Sequence, residues 1–471
     1  MNADQILNRV CQALDALIEA GAEYQGLFPS LLDRKTHKMV THAPPAIEGQ
    51  RNCDRAHLGS NLMHDHTALK AMYALAQALD REDYAAAANR YLVRFANHCT
   101  YTATGLFPWG EHSFWHLVDD AVGNSYLIGN PEREMPVTHD HLRQAPVWLW
   151  EKLQKLNPSC VERFAEGLNG HWTEGRPLEY CRHAYIEERR PYHRYDRSCD
   201  FPRHGGFFIL DWTFAFLHSG REDLLTQIRT MLDYWWKKKD ARGLLQIESR
   251  SPENATNFYG INNLSQTLSL GVSLLEAANL LTKKNPDLAK IMRERGNVYV
   301  DGFLAGPHDI ENDVFAADCR IETNEIVNTY VTWGSKYGEA PAAGTALIAL
   351  FGFRLTGEER LLEWAKSAAK PYLKEPLPED TAVPARDTGV AIGLLADLYN
   401  LTSDESLLQG ALDLAGTIVS VYIDGDLPRG SSKTDIYESQ LGPADLLYAL
   451  TRLALLAKDK ANAPLGDYTL R

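Results

Sequence analysis

Leu217 to Leu232 reads LHSGREDLLTQIRTML. A helix runs out at Leu217-His218 and Ser219-Gly220 supply a polar turn. Glu222 and Asp223 then suit the positive end of a new helix, and Leu224-Leu225 open its apolar stripe. The same order of events returns in ALDREDYAAAANRYL (Ala78–Leu92), LTGEERLLEWAKSA (Leu355–Ala368) and LTSDESLLQGALDLA (Leu401–Ala415). Four degenerate copies of one turn signature predict a chain of repeated helical hairpins.

The periodicity between the turns agrees. Tyr84, Ala87, Ala88, Tyr91, Leu92 and Phe95 fall on one helical stripe, as do Leu407, Leu408, Ala411, Leu412, Ala415 and Ile418. About fourteen such segments run through the 471 residues, with strand-like stretches expected mainly between Gly302 and Pro341. Hairpins that each bury half a face must stack on neighbours, either as an open solenoid or as a closed ring. Long aromatic and histidine-rich insertions at 100–140, 172–206 and 302–340 break the solenoid rhythm, and loops of that length are usually functional. The expectation is therefore an all-α fold: one (α/α) toroid domain over residues 1–471, with six to seven hairpins and a few short strands in its loops.

Composition sets the outer bounds. A formal net charge of −14 opposes general binding to nucleic acid, whose affinity comes from Lys and Arg on phosphates. No stretch of about 18 apolar residues is present, so no membrane span is expected. The N-terminal 24 residues read as an amphipathic helix rather than a signal peptide, and seven cysteines without a CxxC pair fit reduced thiols. Together these predict a cytoplasmic protein; nothing in the sequence speaks to its oligomeric state.

Against that acidic background, EYCRHAYIEERRPYHRYDRSCDFPRHGG (Glu179–Gly206) concentrates six arginines and three histidines. Glu187, Glu188, Asp196 and Asp200 offer salt-bridge partners for an ordinary solvated face. Arg182-His183 and Arg203-His204, however, each place a guanidinium able to grip a carboxylate beside a group able to bind metal or move a proton. Two other stretches carry similar chemistry. GLFPWGEHSFWHL (Gly105–Leu117) sets His112 and His116 among Trp109, Phe114 and Trp115, a mixture that suits a sugar ring or, equally, a core. THDHLRQAPVWLW (Thr138–Trp150) groups His139, Asp140 and His141 at an expected helix start. Nucleotide-binding glycine motifs, HExxH and GxSxG are all absent.

The order of these motifs resembles polysaccharide lyase family 2, metal-dependent pectate lyases on an α/α toroid. Ser60-Asn61 before LMHDHTALKAMYALAQAL is similar to the family's SN before a long helix. GLFPWGEHSFWHL resembles its GLLYWGGHRFxDL, and His139-Asp140 leading to NPSCVERF (Asn157–Phe164) resembles its His-Glu-Leu. NGHWTEGRPLEYCRH (Asn169–His183) matches NAHVxDWxxLxFxRH in equal spacing. Residues 55 to 185 carry the resemblance. Asp140 stands where the family has Glu, Glu111 makes WGEH of WGGH, and Ala184 replaces a glycine.

The resemblance implies a divalent metal, manganese first with zinc and calcium as alternatives, held by His112, Asp140 and His183, with His141 as a substitute for Asp140. It implies Arg182 as the residue that removes a proton. An arginine base is physically awkward because guanidinium stays protonated, so Tyr185, Tyr180 or His193 are rivals, with Arg182 as a carboxylate clamp. Arg189, Arg203, His204 and Trp109 are the expected substrate contacts. The implied reaction is metal-assisted β-elimination on anionic, uronic-acid-containing oligosaccharides, pectate-like and acting at chain ends. An unsaturated-glucuronyl hydrolase or sugar 2-epimerase on the same fold, and a non-enzymatic helical scaffold, are the competing expectations.

Overall fold

The four turn signatures fold in the same way. The computed structural model describes residues 1–174, 178–190, 199–249, 260–458 and 460–469. In it Asp80, Gly220, Gly357 and Ser403 each adopt the left-handed conformation at the end of a helix, with φ of 56°, 71°, 74° and 58°. Each donates its N–H back to a carbonyl four residues earlier: Ala76, Phe216, Phe353 and Tyr399. Two residues later a new helix begins with Glu82, Glu222, Glu359 or Glu405 in its first turn, where a carboxylate is favoured by the helix dipole. Local chemistry alone thus reverses the chain four times.

Among the described residues there are fourteen α-helices. They are α1 (Ala3–Ala22), α2 (Leu62–Leu79), α3 (Glu82–Arg94), α4 (Val147–Leu156), α5 (Pro158–Gly167), α6 (Pro202–Ser219) and α7 (Glu222–Trp236). They continue as α8 (Leu264–Leu281), α9 (Pro286–Leu304), α10 (Ala342–Thr356), α11 (Glu359–Lys374), α12 (Ala385–Thr402), α13 (Glu405–Tyr422) and α14 (Pro443–Lys458). Helices α6, α8, α10, α12 and α14 pack side by side and α14 returns to α2, while α3, α4 and α5 bridge from α2 to α6. The ring therefore closes. Helix α1 packs on α14, tied to it by Lys458 Nζ at 2.6 Å from Asp4 Oδ1, so chain start and chain end form the seventh pair.

Burial separates the two layers. The inner helices are buried nearly all round, as α8 is from Leu264 through Leu281, whereas α3, α7 and α13 bury one stripe. Inner and outer backbones approach closely where α8 meets α9. A Cβ on Gly271 would lie 3.0 Å from the Gly296 carbonyl oxygen, and the reverse also holds.

Short strands are more widely spread than the sequence suggested. Among the described residues, the strands all pair antiparallel in five small sheets. The sheets that matter for the site are β2 (Gly59–Ser60), β3 (Ser113–His116) and β4 (Ala121–Asn124) in one, and β5 (Thr138–His139) with β6 (Ala184–Tyr185) in another. Residues 139–141 do not start a helix. Pro146 precedes the first turn of α4 at Val147, and the backbone of 138–139 is committed to pairing with 184–185.

Candidate active site

The inner helices point their N-termini at one cleft of about 450 Å³. Its walls include His64 from the first turn of α2, Arg203 from α6, Gln266 from α8, Thr345 from α10 and Arg386 from α12. Helix N-termini carry partial positive charge, so the cleft can attract an anion although the whole chain is acidic. The three long insertions meet here. The first supplies Glu111, the second Arg182 and Phe201, and the third Asp318, Asn328 and Tyr337.

The pairing of β5 with β6 brings the key side chains together. His139 lies opposite Ala184, which sets Asp140 beside His183. The WGEH turn then packs onto Asp140: a Cβ on Gly110, whose φ is +93°, would come within 2.1 Å of the Asp140 carbonyl oxygen. Only glycine allows that approach, and it lets the Glu111 N–H donate to Asp140 Oδ1 at 2.7 Å. The result is that ligand atoms of His112, Asp140 and His183 all lie within 4.8 Å of one another, in a buried cluster.

The states of His112 and Asp140 fit a cation. His112 Nδ1 is 2.9 Å from the Cys53 carbonyl oxygen, which can only accept, so Nδ1 carries the hydrogen and Nε2 keeps its lone pair. Burial pushes the His112 imidazole down to about 4, with Glu111 opposing and Arg182 reinforcing, so the ring is neutral. Asp140 Oδ2 has no hydrogen-bond partner among the described residues. Burial first and the Glu111 carboxylate second push Asp140 well above the usual carboxylate range; a divalent ion is the partner that would reverse both penalties.

A second cluster, Cys53, Asp54 and His112, shares the histidine. It fits a metal poorly. Arg51 already donates to both Asp54 oxygens, at 2.8 and 2.6 Å, and burial raises the Cys53 thiol to about 11, away from the thiolate that metals bind.

Glu111 organises the cationic side of the cleft. Its Oε1 accepts from Arg51 Nη2 at 2.6 Å and its Oε2 from Arg182 Nη1 at 2.8 Å. Burial works against its ionisation, yet Arg182, His112 and Arg51 hold it below the usual carboxylate range. Arg182 Nη1 is also 3.9 Å from Asp140 Oδ2, and Nη2 is 3.5 Å from the Tyr337 hydroxyl. The Tyr337 ring lies under the Arg51 guanidinium, 3.3 Å from its centroid. Arg182 and Arg203 both reach over Phe201, at 5.0 and 5.8 Å. Arg203 lines the cleft with a buried Nε that has no partner among the described residues.

Several expected site residues lie elsewhere. Trp109 is wholly buried among Phe95, Phe107, Trp150 and Phe164, and its Nε1 donates to His139 at 3.0 Å, so it is core rather than a sugar platform. His204 is also wholly buried, against Phe201 and Phe207, and does not line the cleft. Arg189 is a surface residue paired with Glu166 at 3.2 Å. Tyr185 sits under the Arg190 guanidinium, off the cleft. Tyr180 is buried and donates to the Phe201 carbonyl at 2.5 Å. His141 turns away from His112 to bond Asp211 at 2.6 Å, which removes it as a substitute for Asp140. His193 lies outside the described residues. Arg51, Asp54, Glu111 and Tyr337 were not foreseen; the WGEH departure was the one visible sign of Glu111.

Residues 27–233 match the family model described as periplasmic pectate lyase. That span holds Arg51, Glu111, His112, Asp140, Arg182, His183 and Arg203. No curated protein matches the chain. Among solved structures, a sugar epimerase from a ruminal bacterium is 12% identical, with 81% of this chain and 90% of that one covered and a TM-score of 0.49. Cellobiose 2-epimerase from Bacillus thermoamylovorans B4167 is 13% identical over 96% and 97%, TM-score 0.45. A family 76 glycoside hydrolase (mannosidase) from Bacteroides thetaiotaomicron VPI-5482 is 12% identical over 97% and 99%, TM-score 0.43. Likenesses of this strength say nothing about activity. The family match corrects one expectation: its family is periplasmic, which points to the periplasm rather than the cytoplasm. No helix among the described residues is long and apolar enough to cross a membrane. Residues 27–233, a little under half of the chain, are thus similar to the periplasmic pectate lyase family, and the chain folds as a closed α/α ring of helical pairs.

Proposed function

We propose that the protein is a polysaccharide lyase that cleaves short uronic-acid oligosaccharides by β-elimination, with His112, Asp140 and His183 holding a divalent ion, manganese by the family resemblance. The observation that carries this reading is the convergence of those three ligand atoms within 4.8 Å beside the ion-paired Arg182. A cleft of about 450 Å³ has room for a short oligosaccharide, within the range of about 300–1,000 Å³ usual for small-molecule sites.

In a uronate the C5 proton lies next to a carboxylate, and its removal adds charge to that group. A bound divalent ion supplies Lewis-acid stabilisation of this charge. Arg182 and Arg203 clamp the carboxylate from the Phe201 side of the cleft. Arg182 is bonded to Glu111, and such pairing favours the charged guanidinium, which donates protons rather than accepting them. The proton acceptor in this reading is the Tyr337 oxygen, which lines the same cleft. The C5–H pair becomes the C4=C5 double bond, the C4–O bond breaks, and the glycosidic oxygen leaves as a hydroxyl by taking the proton back from Tyr337.

The test is incubation with a panel of uronate oligosaccharides and manganese, followed by ultraviolet absorbance of the conjugated product. Absence of an unsaturated product across the panel overturns the proposal. Product sizes distinguish cleavage at ends from cleavage inside the chain.

A further inference from the structure

A second set of polar side chains lines the cleft away from Glu111 and Arg182. His64 stands in the first turn of α2, Arg143 just before α4, and Arg386 in the first turn of α12. Arg143 is 2% exposed and donates from Nη1 and Nη2 to the two oxygens of Asp445, at 2.9 and 3.1 Å. Arg386 reaches the same carboxylate through Nε at 3.4 Å and donates from Nη2 to the Gln440 carbonyl at 2.6 Å. Thr67 Oγ1 adds a third donor to Asp445, at 3.0 Å. One carboxylate therefore fixes two guanidiniums. The neighbouring Asp387 is itself engaged, accepting from the Ser335 N–H and hydroxyl at 2.8 and 2.7 Å.

His64 is the telling residue. It is 1% exposed and its Nδ1 lies 3.2 Å from Ser439 Oγ. Its Nε2 is buried with no hydrogen-bond partner among the described residues, although the side chain lines the cleft. In the tautomer in which Ser439 donates to Nδ1, the ring presents Nε2–H to whatever the cleft holds. Buried donors without partners are costly and rare, and a donor beside two fixed guanidiniums is matched by an anionic oxygen.

We propose that His64, Arg143 and Arg386 form a second anion subsite, which takes the carboxylate of the sugar unit next to the one held at Arg182. The choice of an acidic sugar as ligand rests on the lyase reading; the donor set does not.

The experiment is titration calorimetry of the manganese-loaded protein with a monouronate and a saturated diuronate, alongside the lyase assay. His64→Asn keeps an acceptor for Ser439 and deletes the Nε2 donor; Arg386→Gln removes the charge. The expected result is that each variant weakens diuronate binding by about tenfold or more, while affinity for the monouronate and for manganese stays at the wild-type value. If Arg386→Gln fails to fold, as its bonds to Asp445 and Gln440 allow, His64→Asn alone decides. Diuronate binding unchanged in the folded variants overturns the subsite, even with lyase activity intact. Diuronate binding weakened without any unsaturated product from the wild type upholds the subsite and overturns the lyase reading.

Discussion

Arg182 Nη1 lies 2.8 Å from Glu111 Oε2, inside a cluster that also holds the three candidate metal ligands. Glu111 also takes Arg51 at 2.6 Å, so two guanidiniums share one buried carboxylate. Glu111→Gln removes the carboxylate they share, although Arg51 keeps Asp54, and removing one partner of a buried pair costs about 3–5 kcal/mol. The expected outcome is a fall of that order in unfolding free energy, read by denaturant titration. An unchanged midpoint would show that water already screens the pair.

The metal assignment predicts a specific pattern of loss. His112→Ala and Asp140→Asn are each expected to lower bound manganese and to reduce kcat/KM by at least about a hundredfold, as loss of one strong ligand does. Metal analysis of the purified variants checks the first, and a chelator followed by manganese addition checks the second in the wild type. Activity untouched by chelator would favour a hydrolase or epimerase reaction.

Tyr337 predicts the shape of the pH profile. Desolvation of its hydroxyl, then Glu111, raise its phenol above 10 although 47% of the residue is exposed, with Arg182 and Arg51 acting the other way. A base with so high a value is mostly protonated at neutral pH, and its active phenolate grows as pH rises. The rate constant kcat/KM is therefore expected to climb steadily through the neutral and alkaline range. Tyr337→Phe should abolish the reaction while leaving manganese content unchanged. Should Tyr337→Phe keep full activity, the proton acceptor is another group of the cleft.

Stability is expected to fall in acid because of two buried histidines that lie behind the cleft residues rather than lining it. Burial depresses the wholly buried His66 to about 4 and His171 to about 3, against 6.5 for a free imidazole. Below pH 6.5 the unfolded chain takes up these protons and the folded chain does not, so stability drops as pH falls and levels off below the folded values. Each histidine contributes roughly 3–5 kcal/mol over its full window, because every tenfold loss of proton affinity on folding is worth ~1.36 kcal/mol. Melting temperatures measured between pH 7 and 4 check this; a flat profile would mean that water reaches both rings.

Trp109→Phe tests whether this residue belongs to the core. It deletes the donor to His139 Nε2 while keeping an aromatic ring in the cluster. The expected cost is about 1–3 kcal/mol of stability with KM unchanged, whereas a raised KM at unaltered stability would return Trp109 to the substrate.

The helical pairs were legible in the sequence because each rests on local chemistry. A left-handed residue such as Gly220 or Ser403, two acidic residues and an apolar stripe lie within one short stretch and need no distant partner. His112, Asp140, Arg182 and His183 could be named because their motifs sit in order along the chain. Whether Asp140 or His141 joins His112 and His183 could not be read, since that depends on β5 pairing with β6 and on Asp211 capturing His141. Trp109 and His204 looked like ligand contacts because aromatic and polar residues are as common in a core as in a cleft. The Arg182–Glu111 and Arg182–Tyr337 contacts join residues 71 and 155 positions apart. Such neighbours are created only in the tertiary fold, because β5–β6 pairing and ring closure, not sequence spacing, carry three separate insertions to the same mouth.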